Sequence, residues 1–235
     1  AVASRRTWSG DITVVEPPLY LASAFAKVLR EEGIDVSGVP EVRTQATATG
    51  KPLPVLYVHE TPILPVMAVC NKRSQSFIAE QILKTLGAER RGSGSWKGGV
   101  AEVSEFVRSL GLDPSRYQFA DGSGRSRENR SSASAYLDFL QALATRWRYF
   151  PQFEPTLDVT GDMNGSLRNR MLGPDTRGKV FAKTGNVAGV VTLAGYVEAR
   201  SGQRYAFVLL ANGGCPEGRG HAWQDRILTE LARWG

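Results

Sequence analysis

At 235 residues, with 42% hydrophobic and 22% charged side chains, the chain has the make-up of a soluble globular protein and enough length for one large domain or two small ones. Its net charge of +6 is spread over small clusters at Arg5-Arg6, Arg90-Arg91 and Arg125/Arg127/Arg130, which read as solvated surface or as an attraction for an anionic polymer. There is no basic stripe interleaved with aromatics, no nucleic-acid motif, no run near the roughly 18 apolar residues of a membrane span and no visible signal peptide. The first residue is Ala1 rather than Met, which reads as a processed product or an excised piece of a longer chain.

In chain order, a strand over 11-DITVV-15 leads through Glu16-Pro17-Pro18 into an amphipathic helix over residues 19–32. Leu19, Ala22, Phe25, Ala26 and Leu29 line one face, and Gly33 stops it. Alternation in 53-LPVLYVHE-60 predicts a second strand. Helices follow over 63–71 and 75–86, the latter ended by Gly87, and over 98–110, closed by Gly111. A polar loop, 121-DGSGRSREN-129, precedes a helix over 132–146, and residues 151–177 read as loop with short helical pieces. The last third changes character. Residues 180–184, 190–199 and 204–211 read as strands, the second and third joined by Arg200-Ser201-Gly202-Gln203, which has hairpin chemistry. Apolar residues on both faces of 190–197 predict a strand covered on both sides. A helix over 221–233 ends the chain. Helices followed by three antiparallel strands and a terminal helix predict helices packed on an antiparallel sheet.

The chemistry centres on Lys183-Thr184-Gly185, which opens the apolar stretch 186-NVAGVVTLAGYVEA-199. The ammonium of such a triplet can attract a carboxylate or hold a proton relay, and the hydroxyl can donate a hydrogen bond. The glycine lets a substrate backbone lie against the strand edge. Upstream, 71-NKRSQSFIAEQILKTLG-87 places Ser74 and Ser76 before a helix, in a Ser-x-Asn-like arrangement with serine where asparagine is expected. Two further stretches are 121-DGSGRSREN-129, similar to a DGSGLSR loop with Arg125 in place of leucine, and 161-GDMNGSLRNRM-171, similar to a G-(T/S)-L-x-x-R-M segment.

In order and spacing these motifs resemble the class C, low-molecular-mass penicillin-binding proteins, the D-alanyl-D-alanine carboxypeptidase/endopeptidase family. The resemblance covers roughly residues 10–232. It implies a mixed α and β (α+β) fold of penicillin-binding/β-lactamase type: an antiparallel sheet flanked by helices, incomplete at the N-terminal side. Residues 1–235 would form the C-terminal part of a single transpeptidase-like domain. The implied substrate is a peptidoglycan stem peptide ending in D-Ala-D-Ala, attacked by a serine to give an acyl-enzyme that water releases. Lys183 would hold the terminal carboxylate with Thr184, and Ser74 would pass a proton to the leaving amine; these two are the implied catalytic residues, Ser74 and Lys183. Ser76, Thr184, Gly185, Asp121, Ser123 and Arg168 are the implied substrate-binding set. No cofactor or metal is implied, and the compartment would be periplasmic or otherwise extracytoplasmic.

Plainer roles stand beside these. Ser74 can be the N-cap of the helix after it. Asp121 and Ser123 can simply shape a Gly-rich turn. Arg168 and Arg170 can be ordinary ion-pair residues or braces of the cleft, and Lys183 can be a strand-end lysine reaching for water. His59 and His221 invite a Ser-His-Asp hydrolase, but there is no Gly-x-Ser-x-Gly elbow. With two histidines and two cysteines lacking ligand spacing, a zinc site is not expected. A Cys70–Cys215 disulfide stays open.

One element is missing. No serine in the chain has lysine three residues on; Ser23 has Lys27 at the fourth position. Ser-x-x-Lys supplies the nucleophile in the resembled family, so β-lactams are expected to react only if an upstream segment is supplied. Apolar surface is expected beside residues 181–197 and the helix after Ser74, where that segment would pack. The alternative is a non-catalytic peptidoglycan-binding or regulatory module that kept the cleft and lost the chemistry.

Overall fold

The computed structural model describes residues 13–42, 54–55 and 57–235. By internal contacts the chain divides into two units, Ala1–Val58 and His59–Gly235.

The first unit contains helix α1, Pro17–Glu31. Proline at its first turn removes an N–H that would have had no partner there, so the helix begins two residues earlier than its apolar face alone predicts. Gly33, at φ 81°, ends it. The Arg30 guanidinium then donates to the carbonyl of Val36 at 3.1 Å and folds the following residues back. The strand predicted over 11–15 falls partly outside the described residues, and Thr13–Val15 are not a strand. Nor is there a strand among the described residues of 53–60, where Val55, Tyr57 and Val58 are exposed. Alternation specifies a strand only where a partner takes up its backbone groups.

In the second unit come helices α2 (Ile63–Lys72), α3 (Ser76–Arg91) and α4 (Trp96–Ser109), a two-strand ribbon of β1 (Tyr117–Gln118) and β2 (Arg130–Ser131), then α5 (Ala133–Arg146) and α6 (Phe150–Phe153). Strands β3 (Asp158–Val159), β4 (Val180–Val187), β5 (Val190–Glu198) and β6 (Arg204–Ala211) form one antiparallel sheet in chain order, and α7 (Glu217–Trp234) closes the unit. This is the expected mixture of helices and antiparallel sheet. Ser95 and Ser132 cap α4 and α5 by accepting the N–H of Gly98 and of Ala135, both at 3.1 Å.

The sheet is covered on both faces, as its apolar strands require. Val180, Ala182, Leu193, Val197 and Phe207 pack with Leu228 and Ala232 of α7. The alternate residues Phe181, Ala194, Tyr196, Ala206 and Val208 pack with Leu140 and Leu143 of α5. This two-residue alternation is the pleat. Residues 200–203 make the β5–β6 turn, with Gly202 at φ 82° and the Ala199 N–H donating to Gln203 O at 2.8 Å.

Gly87 does not end its helix. α3 runs on to Arg91, and the left-handed cap is Gly92 at φ 68°. Gly87 is needed for helix–helix approach. A Cβ there would lie 2.7 Å from Ser93 O and 2.8 Å from Gly99 N, and one on Gly99 would lie 2.2 Å from Leu83 O. The two glycines let α3 and α4 meet backbone to backbone.

Arg170 is buried beneath α7. Its guanidinium donates to Asp225 Oδ1 at 2.9 Å through Nε and 2.5 Å through Nη2, and to Gln224 Oε1 at 3.0 Å. Removing one member of such a pair strands the other, and Asp225 keeps partial access to water. Arg170→Met is therefore expected to cost about 2 kcal/mol, lowering the midpoint of thermal unfolding by roughly 4–8 °C. Exposed Arg168→Met should stay within about 0.5 kcal/mol of the parent. Melting both variants by circular dichroism checks the contrast, and equal midpoints would refute it.

Candidate active site

Ser74 sits in the turn between α2 and α3. The expected N-cap role does not occur: α3 begins at Ser76 with Gln75 in the cap position and no side-chain cap. Ser74 instead adopts φ 52°, in the left-handed region, while the Gln75 N–H returns to Cys70 O at 3.0 Å. A non-glycine residue held there costs on the order of 1 kcal/mol and persists only where its surroundings demand it. The strained backbone carries the hydroxyl to Lys183, whose Nζ donates to Ser74 Oγ at 2.8 Å and to the Thr184 carbonyl at 2.6 Å. The two residues are 109 apart in sequence.

Burial pushes the Lys183 ammonium below the usual lysine range, while negative charge on the Cys70 sulfur, when ionised, and on the Asp158 carboxylate opposes that shift. A half-buried lysine of this kind releases its proton more readily than a surface one. The Cys70 thiol is raised by burial, with the Lys183 charge opposing. Cys70 and Cys215 are both free thiols.

Lys183-Thr184-Gly185 lies within β4, three residues past its start. On one side β4 pairs with β5 along its whole length, Lys183 opposite Ala194 and Gly185 opposite Thr192. On the other side β3 reaches only Phe181 and Ala182. Among the described residues, the edge from Lys183 to Val187 has no strand against it. Gly185 has a local reason as well, since a Cβ there would lie 2.3 Å from Thr192 Oγ1.

The floor under Thr184 is built by residues that the sequence reading did not single out. Asp158 is fully buried and accepts the Leu167 N–H at 2.7 Å, the Ser166 hydroxyl at 2.8 Å and the Val159 N–H at 2.8 Å. Ser166 Oγ lies 2.9 Å from Thr184 Oγ1. The Ser166 N–H donates to Lys72 O at 3.2 Å, two residues before Ser74, so this one serine ties both walls together. Lys72 Nζ–Asp162 Oδ2 at 2.7 Å and Asn71 Nδ2–Thr156 Oγ1 at 2.9 Å repeat the tie. Gly165 lets the chain cross the carboxylate, because a Cβ would fall 1.7 Å from Asp158 Oδ1. Ser166 occupies the (T/S) position of the 161–171 segment, which is the signal that could have found it. Asp158 carried no signal beyond its type.

The other named residues are dispersed. Ser76 opens α3, two positions past Ser74. Asp121 accepts from the Gly124 N–H at 2.7 Å, the Ser126 N–H at 2.6 Å and Asn129 Nδ2 at 2.8 Å, which is the turn-shaping role. The Gly122 and Ser123 N–H groups donate to Glu80 of α3 at 3.1 and 3.0 Å, so this loop is fastened to the helix that follows Ser74. Arg168 is exposed, with no ion pair among the described residues. His59 bonds Thr61 at 3.2 Å and His221 lies 3.8 Å from Glu217, which assembles no serine triad. Among the described residues there is no cluster of metal-ligating side chains and no helix long and apolar enough to cross a membrane.

The chain is 33% identical over 228 residues to a D-alanyl-D-alanine carboxypeptidase of Actinomadura sp. (strain R39), a match covering 94% of this chain and 41% of the relative. It is 30% identical over 224 residues to carboxypeptidase DacB of Mycolicibacterium smegmatis, covering 93% and 45%. The chain thus spans less than half the length of these relatives. Among solved structures it superposes on penicillin binding protein 4 (dacB) from Haemophilus influenzae, in complex with a β-lactam, with a TM-score of 0.76 and 23% identity over 95% of this chain and 53% of that one. A predatory endopeptidase from Bdellovibrio bacteriovorus matches with a TM-score of 0.58 and 17% identity, covering 94% and 57%; both superpositions speak to the fold alone. The family model described as D-Ala-D-Ala carboxypeptidase 3 (S13) matches residues 3–233, and the chain belongs to that family.

Proposed function

We propose that this chain forms the Ser74–Lys183 side of a serine-type D-alanyl-D-alanine carboxypeptidase and DD-endopeptidase acting on peptidoglycan stem peptides outside the cytoplasmic membrane. The observation that carries this reading is the 2.8 Å contact of Lys183 Nζ with Ser74 Oγ beside an open strand edge. A stem peptide would lie along that edge from Lys183 to Val187 as an added strand. Its terminal carboxylate would meet Lys183 and Thr184; at ~4 Å and an effective dielectric of about 20 the attraction is on the order of 4 kcal/mol before desolvation. Ser74, already hydrogen-bonded to the ammonium, would pass a proton to the leaving amine. Ser76, Gly185, Asp121, Ser123 and Arg168 would serve substrate binding, Asp121 and Ser123 by shaping the neighbouring loop.

The attacking serine would come from outside these 235 residues, which would then be the C-terminal part of one transpeptidase-like domain. Two features support this. α2 is apolar around its circumference, yet none of its residues is buried, and Ile63, Leu64, Val69 and nearby Phe77 are exposed; such a helix ordinarily lies inside a protein. The outer edge of β6 also has no strand beside it among the described residues. A covering segment with Ser-x-x-Lys would meet both needs.

The second reading, a non-catalytic peptidoglycan-binding module, is favoured by the absence of Ser-x-x-Lys from the sequence. A fluorescent penicillin separates the two. The chain alone is expected to give no covalent band on a denaturing gel, and supplying the upstream segment in cis or in trans should give one. A band from the chain alone would overturn the assignment of the nucleophile. No band even with that segment would favour the binding module.

A further inference from the structure

The floor of the site contains a proton-counting constraint. Asp158, as a carboxylate, only accepts hydrogen bonds, and each hydroxyl has a single proton to donate. Ser166 gives its proton to Asp158 Oδ2 at 2.8 Å. The 2.9 Å contact between Ser166 Oγ and Thr184 Oγ1 is then a hydrogen bond only if Thr184 is the donor. The donor chain therefore runs Thr184 to Ser166 to Asp158, which leaves Thr184 lone pairs, not its proton, for the groove. A carboxylate has nothing to donate to those lone pairs.

We propose that Asp158, acting through Ser166, is a positioning pair that sets the donor direction of Thr184, and that docking of a carboxylate reverses the chain. This rests on the reading of Lys183 and Thr184 as the anchor for a terminal carboxylate. On docking, Thr184 turns its proton onto the carboxylate and Ser166 turns its own onto Thr184. Asp158 keeps the N–H bonds from Leu167 at 2.7 Å and Val159 at 2.8 Å, which is why a fully buried carboxylate tolerates the change. The reversal gives up one charge-assisted hydrogen bond, the strong kind. A carboxylate is therefore held less tightly than Lys183 and a freely donating Thr184 together would allow, whereas a carboxamide can donate to Thr184 without any reversal. The released D-alanine has the same carboxylate as the substrate, so the device favours its departure.

The test is a titration of the full 235-residue chain, followed by NMR, with an N-acyl-D-Ala-D-Ala peptide and with its C-terminal carboxamide. Ser166→Ala removes the competing acceptor and is expected to raise the carboxylate-to-carboxamide affinity ratio by about 3–10-fold, the worth of an ordinary hydrogen bond. Ser166→Cys, whose thiol is a weak acceptor, should give a smaller rise and serves alone if the alanine variant does not fold. In a Thr184→Val background the Ser166 effect on the ratio should vanish. A merely structural Ser166 would change both ligands alike, so an unchanged or lowered ratio overturns the inference while leaving the proposed function standing. Failure of the parent chain to bind either ligand removes the carboxylate anchor itself, and the inference falls with it.

Discussion

Replacing Lys183 by methionine is expected to weaken binding of a D-Ala-D-Ala-terminated peptide by roughly 10–100-fold, because a hydrogen bond to a charged group contributes about 1.5–3 kcal/mol. Methionine keeps the apolar stem against β4 and removes the ammonium that reaches Ser74 at 2.8 Å. Burial holds this ammonium below the ordinary lysine range. Carboxylate affinity should accordingly decline on the alkaline side earlier than an exposed lysine would dictate, and Lys183→Met should abolish that limb. The effect on folding has the opposite sign. Between the lowered folded value and the ordinary unfolded one, the unfolded chain binds more protons, so stability rises with pH across that window. Below the folded value, the cost of burying the charge is fully present. Calorimetric titration at neutral and alkaline pH checks the first statement and thermal melts across the same range check the second. A parent chain whose affinity does not fall at alkaline pH would remove Lys183 from the anchor.

Gly99→Ala is expected to be the most damaging small substitution in the helical layer. The new methyl would lie 2.2 Å from Leu83 O and 2.6 Å from Leu83 Cγ. The first of these is backbone, so α3 must move bodily rather than turn a side chain aside. Overpacking of this kind costs about 3 kcal/mol, a drop of roughly 6–12 °C in unfolding midpoint for a chain of this size. Gly218, in the first turn of α7, has open space around it. Gly218→Ala should be neutral or stabilise by a few tenths of a kcal/mol through helix propensity. If Gly99→Ala melts with its parent, the two helices are not in backbone contact. Because Glu80 of α3 also holds the 121–129 loop, the same variant should loosen that loop, seen as faster amide exchange at Gly122 and Ser123.

The sequence by itself determined what depends on local chemistry and on pattern. The second strand of the hairpin, expected at 204–211, is Arg204–Ala211, since the turn at Gly202 fixes where it begins. The helices expected over 98–110 and 132–146 begin at Trp96 and Ala133, within two residues of the expected starts. The fold class and the family were legible for a related reason: Lys183-Thr184-Gly185, the serines at the start of α3 and two loop motifs stand in a fixed order.

What the tertiary structure alone decided is how groups distant in the chain meet. Gly87 reads as a stop in one dimension, and only the approach of α4 makes it a contact. Ser74 reads as a cap, and only the position of Lys183 explains its left-handed backbone. β4 was expected to end at Thr184 but continues to Val187 because β5 supplies partners that far. Asp158 carried no periodicity and no family signature, and Ser166 stood in a family motif that did not say what it would touch. They became a site when a buried carboxylate, satisfied by two backbone N–H groups and the Ser166 hydroxyl, came to rest beneath Thr184, since a buried charge must find its donors wherever the fold brings them. A pattern in sequence reports which faces are apolar; only the fold settles which polar groups share a proton.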